Sequence, residues 1–206
     1  YLVVCPASLG ENWRREALRF IPDFRVRVHR GPSRARNPQD LEDCDLIIVS
    51  YPLLARDLSL FHQMRFSCVI GDEGQHIKNP RSQVAKAICS LRSDGRFLLT
   101  GTPIENSLSD LRSLFHFLTP GYLAKVPEGL KPDERKWFEH RHLSQAAPYI
   151  LRRGKALVAP ELPEVIEQVV YCEMGQAQRG LYNAVHQQTE RDLLDLAGGG
   201  AQQGRM

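Results

Sequence analysis

Asp72 and Glu73 stand side by side at the end of the apolar run Cys68-Val69-Ile70-Gly71, ahead of the polar turn Gly74-Gln75-His76. Two adjacent carboxylates delivered by a strand into a turn suit a metal-bound nucleotide. The first can hold Mg²⁺, directly or through its water, and the second can accept a proton from the water that attacks a γ-phosphate. Such a pair is common on its own, because acidic turns follow many strands. A second motif adds to it: Leu98-Leu99-Thr100-Gly101-Thr102-Pro103 follows one helix and one strand later. A neighbouring parallel strand is therefore expected to end beside the carboxylates. Thr100 and Thr102 flank Gly101, which lets hydroxyls and backbone approach phosphate or the acidic loop, and Pro103 stiffens the exit.

The elements that position these residues are legible in the first half of the chain. Leu2 to Cys5, Arg25 to His29, Leu46 to Ser50, Phe66 to Gly71 and Arg96 to Leu99 read as strands. Between them, Leu9, Trp13, Ala17 and Phe20 recur at helical spacing behind an expected Ser8/Glu11 capping box. Trp13 on that stripe reads as core packing. Asn79-Pro80 is expected to start a second helix with Val84, Ala87, Ile88 and Leu91 on one face, and Ser107 a third, with Asp110 completing its capping box and Leu108, Leu111, Leu114, Phe115 and Leu118 on its apolar face. Continuous apolar strands separated by helices predict an α/β fold, a parallel sheet covered on both faces, with ligands at the carboxyl ends of the strands.

The pattern changes after residue 118. Residues 119–163, rich in proline and clustered charge, are expected to form a helical protrusion; 164–196 a return strand, Val165 to Cys172, and a charged helix from Gln176 to Leu196; and 197–206 a glycine-rich linker. The 206 residues carry a net charge of +3. This mildly basic balance is compatible with a polyanionic partner without establishing one. The five cysteines are scattered with no CxxC pair, which favours buried free thiols in a reducing compartment over a zinc site or disulfide framework. No apolar run approaches the roughly 20 residues needed to span a bilayer, and the chain reads as cytosolic with no membrane partner.

Taken together, these motifs resemble a known family. Asp72-Glu73-Gly74-Gln75 is similar to the DEAH-type (Walker B) motif, and Leu99-Thr100-Gly101-Thr102-Pro103 with Asn106 to the Leu-Thr-Gly-Thr-Pro motif, of the Swi/Snf-type ATPases among superfamily-two helicase-like enzymes. Cys5-Pro6-Ala7-Ser8-Leu9 with Asn12-Trp13 and Glu16 resembles the family's next motif upstream, and Val49-Ser50-Tyr51 the one that follows it. Pro148 to Arg153, then Glu161-Leu162-Pro163 and Gln178 with Leu181-Tyr182, resemble the segment joining the first motor lobe to the second. The resemblance implies the first RecA-like lobe, of bacterial type, of a double-stranded DNA translocase that uses ATP and Mg²⁺ to remodel protein–DNA complexes. It implies nucleoid-associated work in the cytoplasm, beside a second RecA-like lobe of the same protein.

By residue, the resemblance implies that Asp72 holds Mg²⁺ and that Glu73 positions or deprotonates the attacking water. Gln75 or His76 would link the nucleotide site to Thr100 and Thr102. Pro6, Ser8, Ser50, Tyr51 and Asn106 match motif positions near the nucleic-acid backbone, contacts that suit a translocase because phosphate spacing is independent of sequence. No Gly-x-x-x-x-Gly-Lys-Ser/Thr loop occurs, and the family's arginine finger belongs to the other lobe. The chain therefore reads as a fragment, inactive alone, with its phosphate-loop strand missing; an open slot of unpaired backbone groups would be costly, and shifted strands, pairing between copies and partial disorder are the alternatives to it. The alternative is a non-catalytic nucleic-acid-binding or regulatory module on the same fold; an RNA helicase is disfavoured by Trp13, Arg152-Arg153 and Leu162-Pro163.

Several other residues carry plainer readings. His76 lacks a second metal-ligating side chain at suitable spacing, so a hydrogen-bonding role is favoured over a metal one. Arg135 to Trp137, His140 to His142, Arg34 and Arg36 read as solvated faces. Tyr51 fits packing at a sheet margin as well as nucleic-acid contact.

Overall fold

The computed structural model describes residues 1–101, 108–127, 129–154 and 167–199. Five strands, β1 (Leu2–Cys5), β2 (Val26–His29), β3 (Leu46–Ser50), β4 (Arg65–Gly71) and β5 (Arg92–Leu98), form one sheet in the order β2-β3-β1-β4-β5. Every pairing is parallel, with Leu2 opposite both Ile47 and Val69, and Gly71 opposite Leu98. No open slot is left in the sheet. The central strand β1 is flanked directly by β3 and β4, so the sheet is unbroken and a further strand could join only at its margins. The strand expected over Arg96 to Leu99 begins earlier, at Arg92, because Arg65 pairs with it from the start of β4.

The helices are α1 (Gly10–Phe20), α2 (Tyr51–Arg56), α3 (Leu58–His62), α4 (Gln83–Cys89), α5 (Leu108–Leu118), α6 (Pro132–Ala146) and α7 (Gln176–Gly199). Strand alternation sends Val3, Cys5, Leu46 and Ile48 to one face, where Leu9, Trp13 and Ala17 of the α1 segment cover them. Leu2, Val4, Ile47 and Val49 point to the other face, against Leu54, Phe61, Ile88 and Phe117. Phe20, expected on the α1 stripe, is 74% exposed.

Two helix starts differ from expectation. Ser8 lies inside a 3₁₀ turn, Ala7–Leu9, and caps nothing, while the Glu11 carboxylate pairs with Arg14 at 2.8 Å and Arg30 at 3.5 Å. Asn79-Pro80 builds a turn rather than a first helical residue; α4 starts at Gln83, where the Ser82 hydroxyl accepts from the Ala85 amide at 3.1 Å. Ser107 lies outside the described residues.

Arg96 ties three elements together. Its guanidinium donates to the Phe117 carbonyl at 2.8 Å and the Leu91 carbonyl at 2.8 Å, and stacks over the Phe117 ring at 5.4 Å. A cation placed at the ends of α4 and α5 meets carbonyls left without helical partners and the negative end of each helix dipole.

Another ionic cluster stands at the end of β2. Buried His29 brings Nε2 within 2.9 Å of Asp57 Oδ2, and Arg34 donates to the two Asp57 oxygens at 2.5 and 3.1 Å. Arg34 is thus a half-buried partner rather than the solvated loop cation expected, while Arg36 is exposed. The Arg34 hydrogen bond holds the Asp57 carboxyl down at about 2, with His29 adding to it against the opposing effect of burial.

The chain forms two compact units, the first Tyr1–Leu151 and the second beginning at Arg152. In the first, Ala146 and Ile150 pack with Leu111 and Phe115. His142 of α6 is buried rather than solvated, and burial, with Arg112 and Arg141 nearby, pushes its pKa down. In the second unit, residues 167–172 are not a strand: Val169, Val170 and Tyr171 are 74%, 70% and 93% exposed, and no other strand of that unit is present among the described residues to pair with them. Residues 165 and 166 lie outside the described set. The α7 helix runs to Gly199, three residues past its expected end and into the stretch read as linker. The described cysteines are free, and Cys172 is exposed rather than buried. Among the described residues no helix is long and apolar enough to cross a membrane.

Two consequences can be measured. Replacing Arg96 with methionine removes two short charge-assisted hydrogen bonds while keeping much of the volume, and should lower the unfolding free energy by about 2 to 4 kcal/mol in urea titration. Because the Asp57 pKa is depressed, its stabilisation is present above the ordinary carboxylate range and is lost as pH falls towards 2. The Asp57→Asn protein should accordingly show a shallower loss of stability than the parent between about pH 4 and pH 2.

Candidate active site

The β4 strand ends at Gly71, where a side chain would crowd its neighbours. A Cβ at this position would lie 2.9 Å from Leu98 Cδ1 and 3.3 Å from the Tyr51 hydroxyl. The strand then hands over to a loop pinned on both sides. The Asp72 amide donates to the Val4 carbonyl of β1 at 2.8 Å, the Leu99 amide to the Gly71 carbonyl at 2.8 Å, and the Gly74 amide to the Leu99 carbonyl at 2.9 Å. The acidic pair is thereby set at the carboxyl ends of three adjacent strands, β1, β4 and β5.

Each polar group of Asp72 is engaged. Its carbonyl accepts from the Tyr51 hydroxyl at 2.7 Å, Oδ2 from the Trp13 indole N–H at 2.8 Å, and Oδ1 from the Glu73 amide at 2.9 Å. Each carboxylate oxygen has accepted one donor and keeps lone-pair capacity for a cation or its water. Glu73 adopts the left-handed conformation, φ 55° and ψ 61°, the one positive φ at a non-glycine among the described residues. Such a backbone costs roughly 1 to 3 kcal/mol and concentrates at functional sites.

The Gln75 amide bridges the two expected motifs: Nε2 donates to Glu73 Oε2 at 2.8 Å, and Oε1 accepts from the Thr100 hydroxyl at 3.4 Å. Of the two candidates for this link, Gln75 spans the gap, whereas His76 stacks on Tyr51 with ring centroids 5.0 Å apart. Asp72, Glu73, Thr100 and Gly101 line a cavity of about 380 Å³ together with a mostly apolar set that includes Leu111, Phe115, Tyr149 and Leu151. The acidic pair presents only hard oxygen donors, which fit a small divalent cation holding several waters. Among the described residues no cluster of three or more histidine, cysteine or acidic side chains is placed to chelate a metal without such help.

Pro6 and Ser50 sit together, as the adjoining ends of β1 and β3 dictate, and share a small cavity of about 100 Å³ with Cys5 and His29. Ser8 is exposed beside them. Tyr51 is 2% exposed with its hydroxyl committed to Asp72, so its side chain braces the acidic loop instead of facing a nucleic-acid backbone. Thr102 and Asn106 lie outside the described residues, as do Glu161, Leu162 and Pro163.

Sequence reasoning missed Trp13. An indole N–H on a stripe otherwise suited to packing needs an acceptor when covered, which signals a polar partner without saying which one. Tyr149 and Leu151 fall within Pro148 to Arg153, read from the resemblance as part of the inter-lobe segment and not as lining of this cavity.

This parallel α/β lobe, with its acidic pair beyond the central strands, has the RecA-like fold of the solved structures it resembles. The chain belongs to the SNF2-related domain family, which it matches over residues 1–205. It superposes on the Sulfolobus solfataricus SWI2/SNF2 ATPase core in complex with dsDNA with a TM-score of 0.62 and 32% identity, covering 96% of this chain and 42% of that one. It is 34% identical over 203 residues to the TATA-binding protein-associated factor MOT1 of Saccharomyces cerevisiae, covering 88% of this chain and 11% of MOT1. It is 36% identical over 200 residues to an uncharacterized ATP-dependent helicase of Mycoplasma pneumoniae, covering 95% of this chain and 19% of the helicase. The chain thus spans well under a quarter of the length of these two relatives.

The strained Glu73 backbone gives a test that needs no ligand. Glu73→Gly should raise the unfolding free energy, by as much as about 1 kcal/mol, because glycine adopts positive φ without penalty; Glu73→Gln should leave it unchanged. Equilibrium denaturation of the two variants distinguishes them.

Proposed function

We propose that this chain is part of an ATP-dependent translocase of double-stranded DNA that remodels protein–DNA complexes, and that Asp72 and Glu73 are the acidic half of its ATPase site. The observation that carries the reading is the hydrogen-bonded run Glu73–Gln75–Thr100 across the ends of β4 and β5, facing the cavity that Asp72 also lines. Asp72 would hold Mg²⁺, and Thr100 and Gly101, with Thr102 assigned by the motif alone, would contact the nucleotide; the metal would partly neutralise the charge of the γ-phosphate. Glu73, its Oε2 oriented by Gln75, aligns the attacking water and takes its proton.

Pro6, Ser8 and Ser50, with Asn106 assigned by its motif alone, contribute contacts to the phosphate backbone, where sequence-independent contacts permit movement along the duplex. A second lobe of the same protein completes the site, so this chain alone turns over no ATP. The place of action is wherever the DNA lies; for a nucleoid that is the cytoplasm.

The test uses the full-length protein that contains this chain. Glu73→Gln should reduce DNA-stimulated ATP hydrolysis by roughly 10² to 10⁴-fold while Mg²⁺–ATP still binds, as expected for loss of a general base. Turnover of Glu73→Gln at the parent rate would refute the assignment.

A further inference from the structure

Trp13 and Tyr51 lie on helices that follow different strands, β1 and β3, and converge on one residue. Tyr51 is the first residue of α2, directly after Ser50, and its hydroxyl holds the Asp72 carbonyl at 2.7 Å. Trp13 lies in the first turn of α1, which leaves from the Pro6–Leu9 turn, and its indole N–H holds Asp72 Oδ2 at 2.8 Å. Each of the two candidate nucleic-acid segments therefore has a direct hydrogen bond to the candidate metal carboxylate residue. One acts on the side chain and one on the backbone.

From this geometry we infer that Trp13 and Tyr51 are positioning residues that couple nucleic-acid binding to Asp72; the inference rests on the metal role proposed above. Neither side chain touches the cavity that would hold the nucleotide. Trp13 has a second property that suits the task. Oδ2 accepts the indole N–H along one lone-pair direction, which fixes the rotation of the carboxylate and so the direction left for a cation. Movement of the Pro6–Leu9 turn against a duplex displaces the start of α1, and with it the indole. The Tyr51 hydroxyl, 3.3 Å from where a Cβ on Gly71 would sit, leaves the end of β4 little room to yield. Asp72 is thus held from three sides, by β1, α1 and α2, and a shift of either loop changes its aim.

The contact is an N–H donated to a carboxylate, and removing one such charge-assisted bond corresponds to about a tenfold effect. In the full-length protein, Trp13→Phe keeps the packing and deletes the donor. It should lower DNA-stimulated kcat about tenfold, leave the KM for ATP within about twofold, and raise the Mg²⁺ concentration needed for half-maximal rate. Tyr51→Phe should act in the same direction. A structural signature accompanies the kinetics. In ¹⁵N-indole spectra the Trp13 resonance, assigned by its loss in Trp13→Phe, should move on adding short duplex DNA and should also move in Asp72→Asn without any ligand. Full DNA stimulation in Trp13→Phe, or a Trp13 resonance indifferent to Asp72→Asn, overturns the coupling. Hydrolysis of ATP by Asp72→Asn at the parent rate removes instead the metal reading on which it stands, and the inference with it.

Discussion

The site depends on one residue being over-determined. Asp72 sits where β4 ends, and its amide, carbonyl and two carboxylate oxygens are bonded to Val4, Tyr51, Trp13 and the Glu73 amide respectively. These partners come from β1, α2, α1 and the acidic turn itself. A carboxylate left to rotate at a strand end samples several directions and loses entropy each time it binds a cation; one held at every polar atom has already lost it. The parallel sheet makes this possible, because strands ending at the same level bring unrelated stretches of sequence within hydrogen-bond reach of a single residue.

The same sheet explains which features were legible in the sequence. Strands buried on both faces leave continuous apolar runs, so β1, β3 and β4 announced themselves, and with them the placement of Asp72 beside Thr100. Local capping was less reliable. The Ser8 hydroxyl met a turn already satisfied by the Leu9 amide bonding to the Pro6 carbonyl, and Glu11 found arginines instead of an amide. The apolar run after residue 165 read as a strand because periodicity records only which side chains tend to be covered. Among the described residues of that unit no strand supplies ladder partners for 167–172, and an isolated extended segment gains nothing by assuming the form.

Long-range polar contacts were the least legible. Trp13 and Asp72 are 59 residues apart, and Arg34 and Asp57 are 23 apart. Neither separation has a periodicity to betray it. The burial of His142 belongs to the same class, since it depends on where α6 folds back and not on the composition of α6. In each case the residue type was noticed and its partner was not, because partnership is a property of strand order. Once β1 lies between β3 and β4, the elements leaving β1 and β3 are brought to the end of β4, and the contacts follow.

The left-handed turn at Glu73 gains meaning in this setting. With Asp72 fixed by its neighbours, the chain must turn within one residue to return Gly74 to the Leu99 carbonyl, and a right-handed or extended residue there would carry the amide away from it. Positive φ at Glu73 closes that turn and leaves the carboxylate where Gln75 can hold it. Glycine would make the same turn at lower cost. A glutamate in its place therefore exchanges some stability for a carboxylate at the one backbone position that faces both the Asp72 side of the cavity and the Thr100 hydroxyl through Gln75. That exchange is expected where a side chain is needed for chemistry and is hard to account for if the turn were only a connection between β4 and α4.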